Sequence, residues 1–518
     1  MTFLSARRIA LACIVAAAAI AALAAPGAAS AAPDLGEQCS GSNIEGLGST
    51  FQAPLQKVWN PKFNEVEIKL ACNGTQGSKG KPTVIYNQGS GNTGSGACLK
   101  AFGAEKTAPK YTAFPFCGTD EAPNPTQKAE IEAHAGVGVE EKALETIPIA
   151  QGSVAILVNL PKGCKAESLV EVGTKKNKYG RLVFDHTTLE AIYRGTAKTW
   201  KEAVALQGEN HGQDKLTCTG GEAEENMEIK KIVRRDKSGT THIFKAYLLQ
   251  IFTENIQMEA FNEPEEGSGK KPCGAALPEE EKTWQQVSEG CENQRWPTAA
   301  KIVRPATNGN PALIAKVAET ESSIGYADLS VARENGEFSK KFKEGKGGGE
   351  NKKGTETKVG EQNVRFWALI QNSAPGVLPV KYAEPSSNAD TEKVAQSNCG
   401  GTIYVAKPGE KFPPKNTRET WFAAKADLTQ KKYSLCGLTY DLALRQYFYF
   451  LNPEGTSEAA SKEKATTVEN YLLWALSSKS ELGGGGGFLL KNHDYEKLSG
   501  TVLKEAETGV KEIGNKIA

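Results

Sequence analysis

Lys230-Lys231-Ile232-Val233-Arg234-Arg235-Asp236-Lys237-Ser238-Gly239-Thr240-Thr241 is the stretch from which the rest of the chain is read. Lys230 to Val233 has the length and β-branched content of a short strand, and Thr241 to Phe252 repeats apolar residues at helical spacing. Glycine and hydroxyl residues sit between them, where the helix would start. Glycine lets backbone N–H groups approach a ligand closely, and a helix N-terminus offers unpaired N–H donors at a positive dipole end. Ser238 and Thr240 add hydroxyls to those donors, and Arg234 adds a guanidinium suited to bidentate oxyanion binding.

Three further segments share this composition: Gly46-Leu47-Gly48-Ser49-Thr50-Phe51, Gly94-Ser95-Gly96-Ala97 and Phe116-Cys117-Gly118-Thr119-Asp120. Singly, each has a plainer reading, since Ser or Thr at a helix start is more often an N-cap than a ligand. Together they occur in a chain without G-x-x-x-x-G-K-[ST], G-x-S-x-G or H-E-x-x-H. Outward from these loops, strand-like runs recur at Pro82 to Tyr86, Ile147 to Ala150, Val154 to Val158 and Ile324 to Tyr326. Helical patterns cover Thr187 to Tyr193, Pro311 to Thr320 and Thr466 to Ser477. Strands alternating with helices predict an α/β protein with substantial parallel sheet. Gly208 to Glu225, Glu263 to Glu281, Gly345 to Gly360 and Pro453 to Lys464 read as solvated loops, and Gly483 to Gly487 as a flexible connection. Tyr495 to Ala518 reads as a short amphipathic helix.

The 518 residues carry 62 Lys and Arg against 61 Asp and Glu, a net charge of +1. No global positive field would draw in a phosphate polymer, so nucleic acid is not expected as a partner. With 39% hydrophobic and 24% charged residues, the chain reads as neither disordered nor a multi-span membrane protein. Five His leave little for a histidine-built metal site, and neither a metal nor another cofactor is expected.

Arg7 and Arg8, an apolar run from Ile9 to Ala25 and the triplet Ala29-Ser30-Ala31 form the pattern of a secretory signal over residues 1–31. Its removal leaves 60 basic and 61 acidic residues and ten of the 11 cysteines. The expected location is therefore exported, in the periplasm, the cell envelope or outside the cell. Cys39 lies too far beyond the apolar run to be a convincing lipid-attachment site. An even cysteine count in an exported chain predicts disulfides, and no C-x-x-C occurs. Spacing does not fix connectivity. Nearest-neighbour pairing (39–72, 98–117, 164–218, 273–291, 399–436) is the expectation, because these cysteines flank segments that look like surface insertions.

The four loops resemble those of the periplasmic phosphate-binding protein of bacterial phosphate ABC transporters. The likeness lies in Gly46-x-Gly48-Ser49-Thr50-Phe51 with Pro54 and Trp59, in Tyr86 through Phe102, and in Phe116 to Asp120 with Ala122-Pro123. Arg234-x-Asp236-x-Ser238-Gly239-Thr240 is its most specific part, and Asn308-Gly309-Asn310 and Ser323-Ile324-Gly325-Tyr326 extend it. The resemblance implies a two-lobed periplasmic-binding-protein-like fold with the ligand cleft between lobes and surface insertions. Residues 40–148 and 327–518 would form the first lobe and 149–326 the second. Thr50, Phe51, Ser95 and Asp120 would bind phosphate from the first lobe, and Arg234, Ser238, Gly239 and Thr240 from the second. Asp236 would support Arg234 as its ion-pair partner. Asp120 would accept a hydrogen bond from a protonated oxygen that phosphate carries and sulfate lacks.

The implied partners are inorganic phosphate and a membrane ABC permease, with the protein a monomer and no catalysis. The sequence departs from the family's pattern at Gln52, Cys117, Glu121 and Lys237. Two alternatives belong to other classes. One is a secreted phosphatase or other hydrolase with Ser238 as nucleophile and His242 nearby. The other is a non-transport surface protein on the same fold.

Overall fold

The computed structural model describes residues 41–64, 82–87, 93–104, 114–135, 144–167, 181–207, 215–252, 294–338, 365–377, 380–386, 432–447, 457–477, 485–490 and 493–514, with short pieces between them. The expected signal at 1–31 and cysteines 39, 72, 273 and 291 lie outside the described residues, as do Glu263 to Glu281 and Gly345 to Gly360.

One strand organises the molecule. The two runs Ile147 to Ala150 and Val154 to Val158 join into a single strand β4, Leu144–Asn159, buried at every position. Gly152 sits between them for close approach rather than for a turn. A Cβ there would lie 2.6 Å from the Phe51 ring, so only glycine lets the ring pack on the strand. Pro148 is accommodated at an irregularity in the ladder, where the register of the partner strand shifts between Thr439 and Tyr440.

β1 (Ile44–Gly48) lies between β2 (Val84–Tyr86) and β3 (Phe116–Thr119), parallel to both. β8 (Lys230–Ile232) lies between β9 (Ile302–Val303) and β10 (Ser323–Asp328), again parallel to both. β4 connects these two groups. Its first part pairs antiparallel with β14 (Cys436–Leu444), which pairs with β3, and its second part pairs antiparallel with β10. The sheet therefore runs β9-β8-β10-β4-β14-β3-β1-β2, and the chain is a two-lobed α/β fold with one lobe at each end of β4. The parallel pairs form the lobes, and the antiparallel pairs carry the chain between them.

The late part of the chain serves both lobes. α9 (Glu458–Leu476) returns to α1 (Ala53–Asn64), where the Phe63 ring meets Tyr471 and Trp474 edge-on at 5.1 and 5.6 Å. β11 (Arg365–Trp367) pairs with the second part of β4, and β12 (Leu369–Gln371) pairs with β6 (Val183–Phe184).

Three expectations need correction, the first at Pro453 to Lys464, where the residues from Glu458 onward belong to α9, capped by Ser457, rather than to a solvated loop. Gly208 to Glu225 contains β7 (Lys215–Cys218), which pairs with β5 (Cys164–Glu167), and a helical turn Glu222–Glu225. Gly485 to Gly487, the described end of the glycine run, packs on the end of α9 rather than acting as a free tether. Gly487 N–H donates to Ser477 O at 3.0 Å, and Trp59 Nε1–H donates to Gly486 O at 3.0 Å.

Disulfides join 98–117, 164–218 and 399–436, three of the five expected pairs. They fit an oxidising compartment. Among the described residues, no helix is long and apolar enough to cross a membrane.

Candidate functional site

Each donor-rich loop leaves the carboxyl end of a parallel strand, where open α/β sheets place their ligands. β1 delivers Ser49 to Phe51, β3 delivers Asp120 and β8 leads to Arg234. α2 (Ser95–Ala101) starts with Ser95, and α6 (Gly239–Ile251) starts with Gly239.

In the first lobe the loops converge on Asp120, which is 4% exposed. Ser49 Oγ donates to its carboxylate, 2.6 Å from Oδ1 and 2.7 Å from Oδ2. Thr439 Oγ1 donates to Oδ1 at 2.8 Å and Ser95 Oγ to Oδ2 at 3.2 Å. Burial pushes the Asp120 carboxyl up to about 6, against the pull of these three hydroxyls and of the Arg234 charge. Ser49 Oγ also accepts the N–H groups of Phe51 at 3.0 Å and Gln52 at 3.1 Å, and so caps the first turn that leads into α1. The Phe51 ring is fully buried edge-on against Tyr495, whose hydroxyl donates to the Phe51 carbonyl.

In the second lobe Arg234 is 2% exposed and gripped by Asp236, Nε to Oδ1 at 2.8 Å and Nη2 to Oδ2 at 2.5 Å. Its Nη1 donates to Asn310 Oδ1 at 3.2 Å. Ser238 Oγ accepts from Thr241 N–H at 3.2 Å as the N-cap of α6. Thr240 Oγ1 accepts from Asn310 Nδ2 at 3.2 Å. Thr241 Oγ1 and the Tyr326 hydroxyl lie 2.7 Å apart behind the loop.

The lobes meet at these residues. Asn310 N–H donates to Thr50 Oγ1 at 3.2 Å, and Gly96 N–H donates to Lys237 O at 3.3 Å. Gly94 has φ +115, and a Cβ on it would stand 2.8 Å from Asp236 Oδ2. A Cβ on Gly239 would stand 2.5 Å from Ser95 Oγ and 2.6 Å from the Asp120 Cβ. Thr50, Phe51, Ser95, Asp120, Arg234, Asp236, Ser238, Gly239 and Thr240 thus occupy one region at the junction.

The departures from the family pattern have local partners. Gln52 Nε2 donates to Asp441 Oδ1 at 3.0 Å, and burial holds the Asp441 carboxyl up at about 7. Cys117 is bonded to Cys98, which ties the helix bearing Ser95 to the strand before Asp120. Lys237 contributes its carbonyl to the contact with Gly96. The Glu121 backbone closes a turn with Thr119 Oγ1, which accepts its N–H at 3.2 Å and donates to its carbonyl at 2.7 Å.

Sequence reasoning missed Ser49, Asn310 and Thr439 as site residues. Ser49 and Asn310 stood inside quoted motifs, whereas Thr439 lies 319 residues from Asp120 in a strand with no local signal. Among the described residues, the cluster Cys164, Cys218 and Glu224 has metal-like spacing, but the two sulfurs are bonded to each other and unavailable as thiolate ligands.

Residues 36–381 match the family model of the PBP superfamily domain. No curated protein matches the chain. Among solved structures, a phosphate-binding protein from Stenotrophomonas maltophilia is 14% identical with a TM-score of 0.47, covering 90% of this chain and 93% of that one. An ancestral soluble variant of the human phosphate-binding protein is 13% identical with a TM-score of 0.48, covering 92% and 99%.

Proposed function

Because this chain belongs to the PBP superfamily, we propose that it captures inorganic phosphate outside the cytoplasm and delivers it to a membrane ABC permease, with no chemistry done on the ligand. Residues 40–148 and 327–518 would form the phosphate-capturing lobe that carries Asp120, and residues 149–326 the lobe that carries Arg234. The segment 365–383 would lend strands to the second lobe. The protein would act as a monomer, with the ligand held by Thr50, Phe51, Ser95 and Asp120 on one side and Arg234, Ser238, Gly239 and Thr240 on the other.

One observation carries the reading: the buried carboxylate of Asp120 lies among a set of donors. Arg234, the Gly239 end of α6 and the hydroxyls suit unprotonated oxygens, and Asp120 suits one protonated oxygen. Phosphate near neutral pH has both kinds. Sulfate has only the first and would meet Asp120 with nothing to donate.

Thermal melting of the mature chain with millimolar phosphate or sulfate tests this. Phosphate should raise the melting temperature, since ligand at a thousand times its Kd adds about 4 kcal/mol. Sulfate should have a much smaller effect. Equal stabilisation by both, or turnover of a chromogenic phosphate ester without stabilisation, would reject the proposal.

A further inference from the structure

Asn310 is fully buried at the first position of α7 (Asn310–Glu319) and touches residues of both lobes. Its carboxamide orientation is forced. A guanidinium only donates, so the atom facing Arg234 Nη1 must be the oxygen, and the amide nitrogen must face Thr240. Thr240 Oγ1 therefore accepts on its Asn310 side, which leaves its own hydrogen to be donated elsewhere. Thr50 Oγ1 is in the same position, because it accepts the Asn310 backbone N–H.

Arg234 completes the pattern. Of its five N–H bonds, Nε and one on Nη2 go to Asp236 and one on Nη1 goes to Asn310. One hydrogen on each terminal nitrogen is left, the pair needed for two oxygens of one anion.

We propose that Asn310 is a positioning residue that sets the direction of hydrogen bonding at the site. By accepting from Arg234 and donating to Thr240 and Thr50, it turns both threonine hydroxyls into donors toward an oxyanion and leaves Asp120 as the acceptor. The polarity runs from Asp236 through Arg234 and Asn310 to Thr240 and, across the lobe junction, to Thr50. This rests on the phosphate-binding reading above and adds to it the residue that coordinates the two lobes.

The experiment is a double-mutant cycle on the mature full-length chain, with Asn310→Ala and Thr240→Val, singly and together. Inorganic phosphate binding is measured by titration calorimetry and by stopped-flow dissociation, alongside melting of each ligand-free variant. Asn310→Ala should weaken phosphate about 10- to 100-fold, the range for hydrogen bonds to charged groups. The loss should appear mainly in a faster off-rate. Thr240→Val should cost clearly less in the Asn310→Ala background than in the wild type, because its hydroxyl is no longer directed. A merely structural role for Asn310 would give additive losses. Asn310→Ser serves as a second variant if alanine lowers the ligand-free melting temperature, and the same coupling is expected from it. Wild-type affinity in the Asn310 variants, or an additive cycle, would overturn this inference and leave the phosphate reading standing. A wild-type chain that binds no phosphate would overturn both.

Discussion

Asp120 receives hydrogen bonds from Ser49, Ser95 and Thr439, yet burial still holds its carboxyl up to about 6. At pH 8 it is ionised and can only accept. At pH 5 most of the ligand-free protein carries a proton on it, and that proton can be donated to an anion that has none. Sulfate binding should therefore strengthen as pH falls from 8 to 5, by about tenfold if one hydrogen bond is gained. Calorimetric titration with sulfate at both values measures this, and a flat profile would remove Asp120 from its selecting role. Asp120→Asn, which offers a donor at every pH, should bind sulfate with little pH dependence and discriminate poorly against it. Arg234 has its own test. Lysine cannot keep the two-pronged grip on Asp236 and also reach Asn310, so Arg234→Lys should cost about 100-fold in phosphate affinity.

At the scale of elements, the disulfide between Cys98 and Cys117 fixes the helix that starts at Ser95 against the strand that ends before Asp120. Replacing both cysteines by serine should lower stability by about 3 kcal/mol, the usual value for a closed loop of this size. Urea unfolding measures that loss. Phosphate binding should weaken as well, because Ser95 Oγ accepts from Asp120 N–H at 3.0 Å and loses its tether. Full stability in the double variant would mean that packing alone holds the two elements. Local chemistry made much of this readable in the sequence. The strand-loop-helix at 230–251, the helix of Asn310–Glu319 and the loops bearing Ser95 and Asp120 follow from glycine, hydroxyl and periodicity signals within each segment. What was not readable depends on distant partners. Gly152 carries no local sign of its role until Phe51 is seen to lie against it, and Gly486 looks like a tether until Trp59 donates to its carbonyl. Thr439 acquires a role only because β14 lies beside β3. Asn310 was quoted in a motif, but its three contacts need the lobes brought together.

Over the whole molecule, 62 basic and 61 acidic residues give no net field to gather an anion, so affinity must come from buried, directed groups. The same burial leaves a signature in stability. Asp120 is raised from 3.8 to about 6, Asp441 from 3.8 to about 7 and Glu145 from 4.5 to about 7, each mainly by desolvation. A carboxyl raised on folding favours the folded state while it is protonated. Its contribution is complete below the unfolded value and is lost as pH rises through the folded one. For these three groups that window runs from about pH 4 to about pH 7. His493 and Lys231, both lowered by burial, work the other way and lose stability as pH falls, but the buried Asp328 and Asp494 are raised like the first three. The ligand-free protein should therefore melt at a higher temperature at pH 5 than at pH 8. Asp441→Asn, which keeps an acceptor for Gln52 but removes the titration, should narrow that gap. Phosphate should narrow it too, because a ligand that donates its proton to ionised Asp120 stabilises the folded protein most where that carboxylate is charged. Calorimetric melting at the two pH values, with and without phosphate, measures all three effects. A ligand-free melting temperature that climbs steadily from pH 5 to pH 8 would mean that these carboxyls are solvated or paired more strongly than their burial implies.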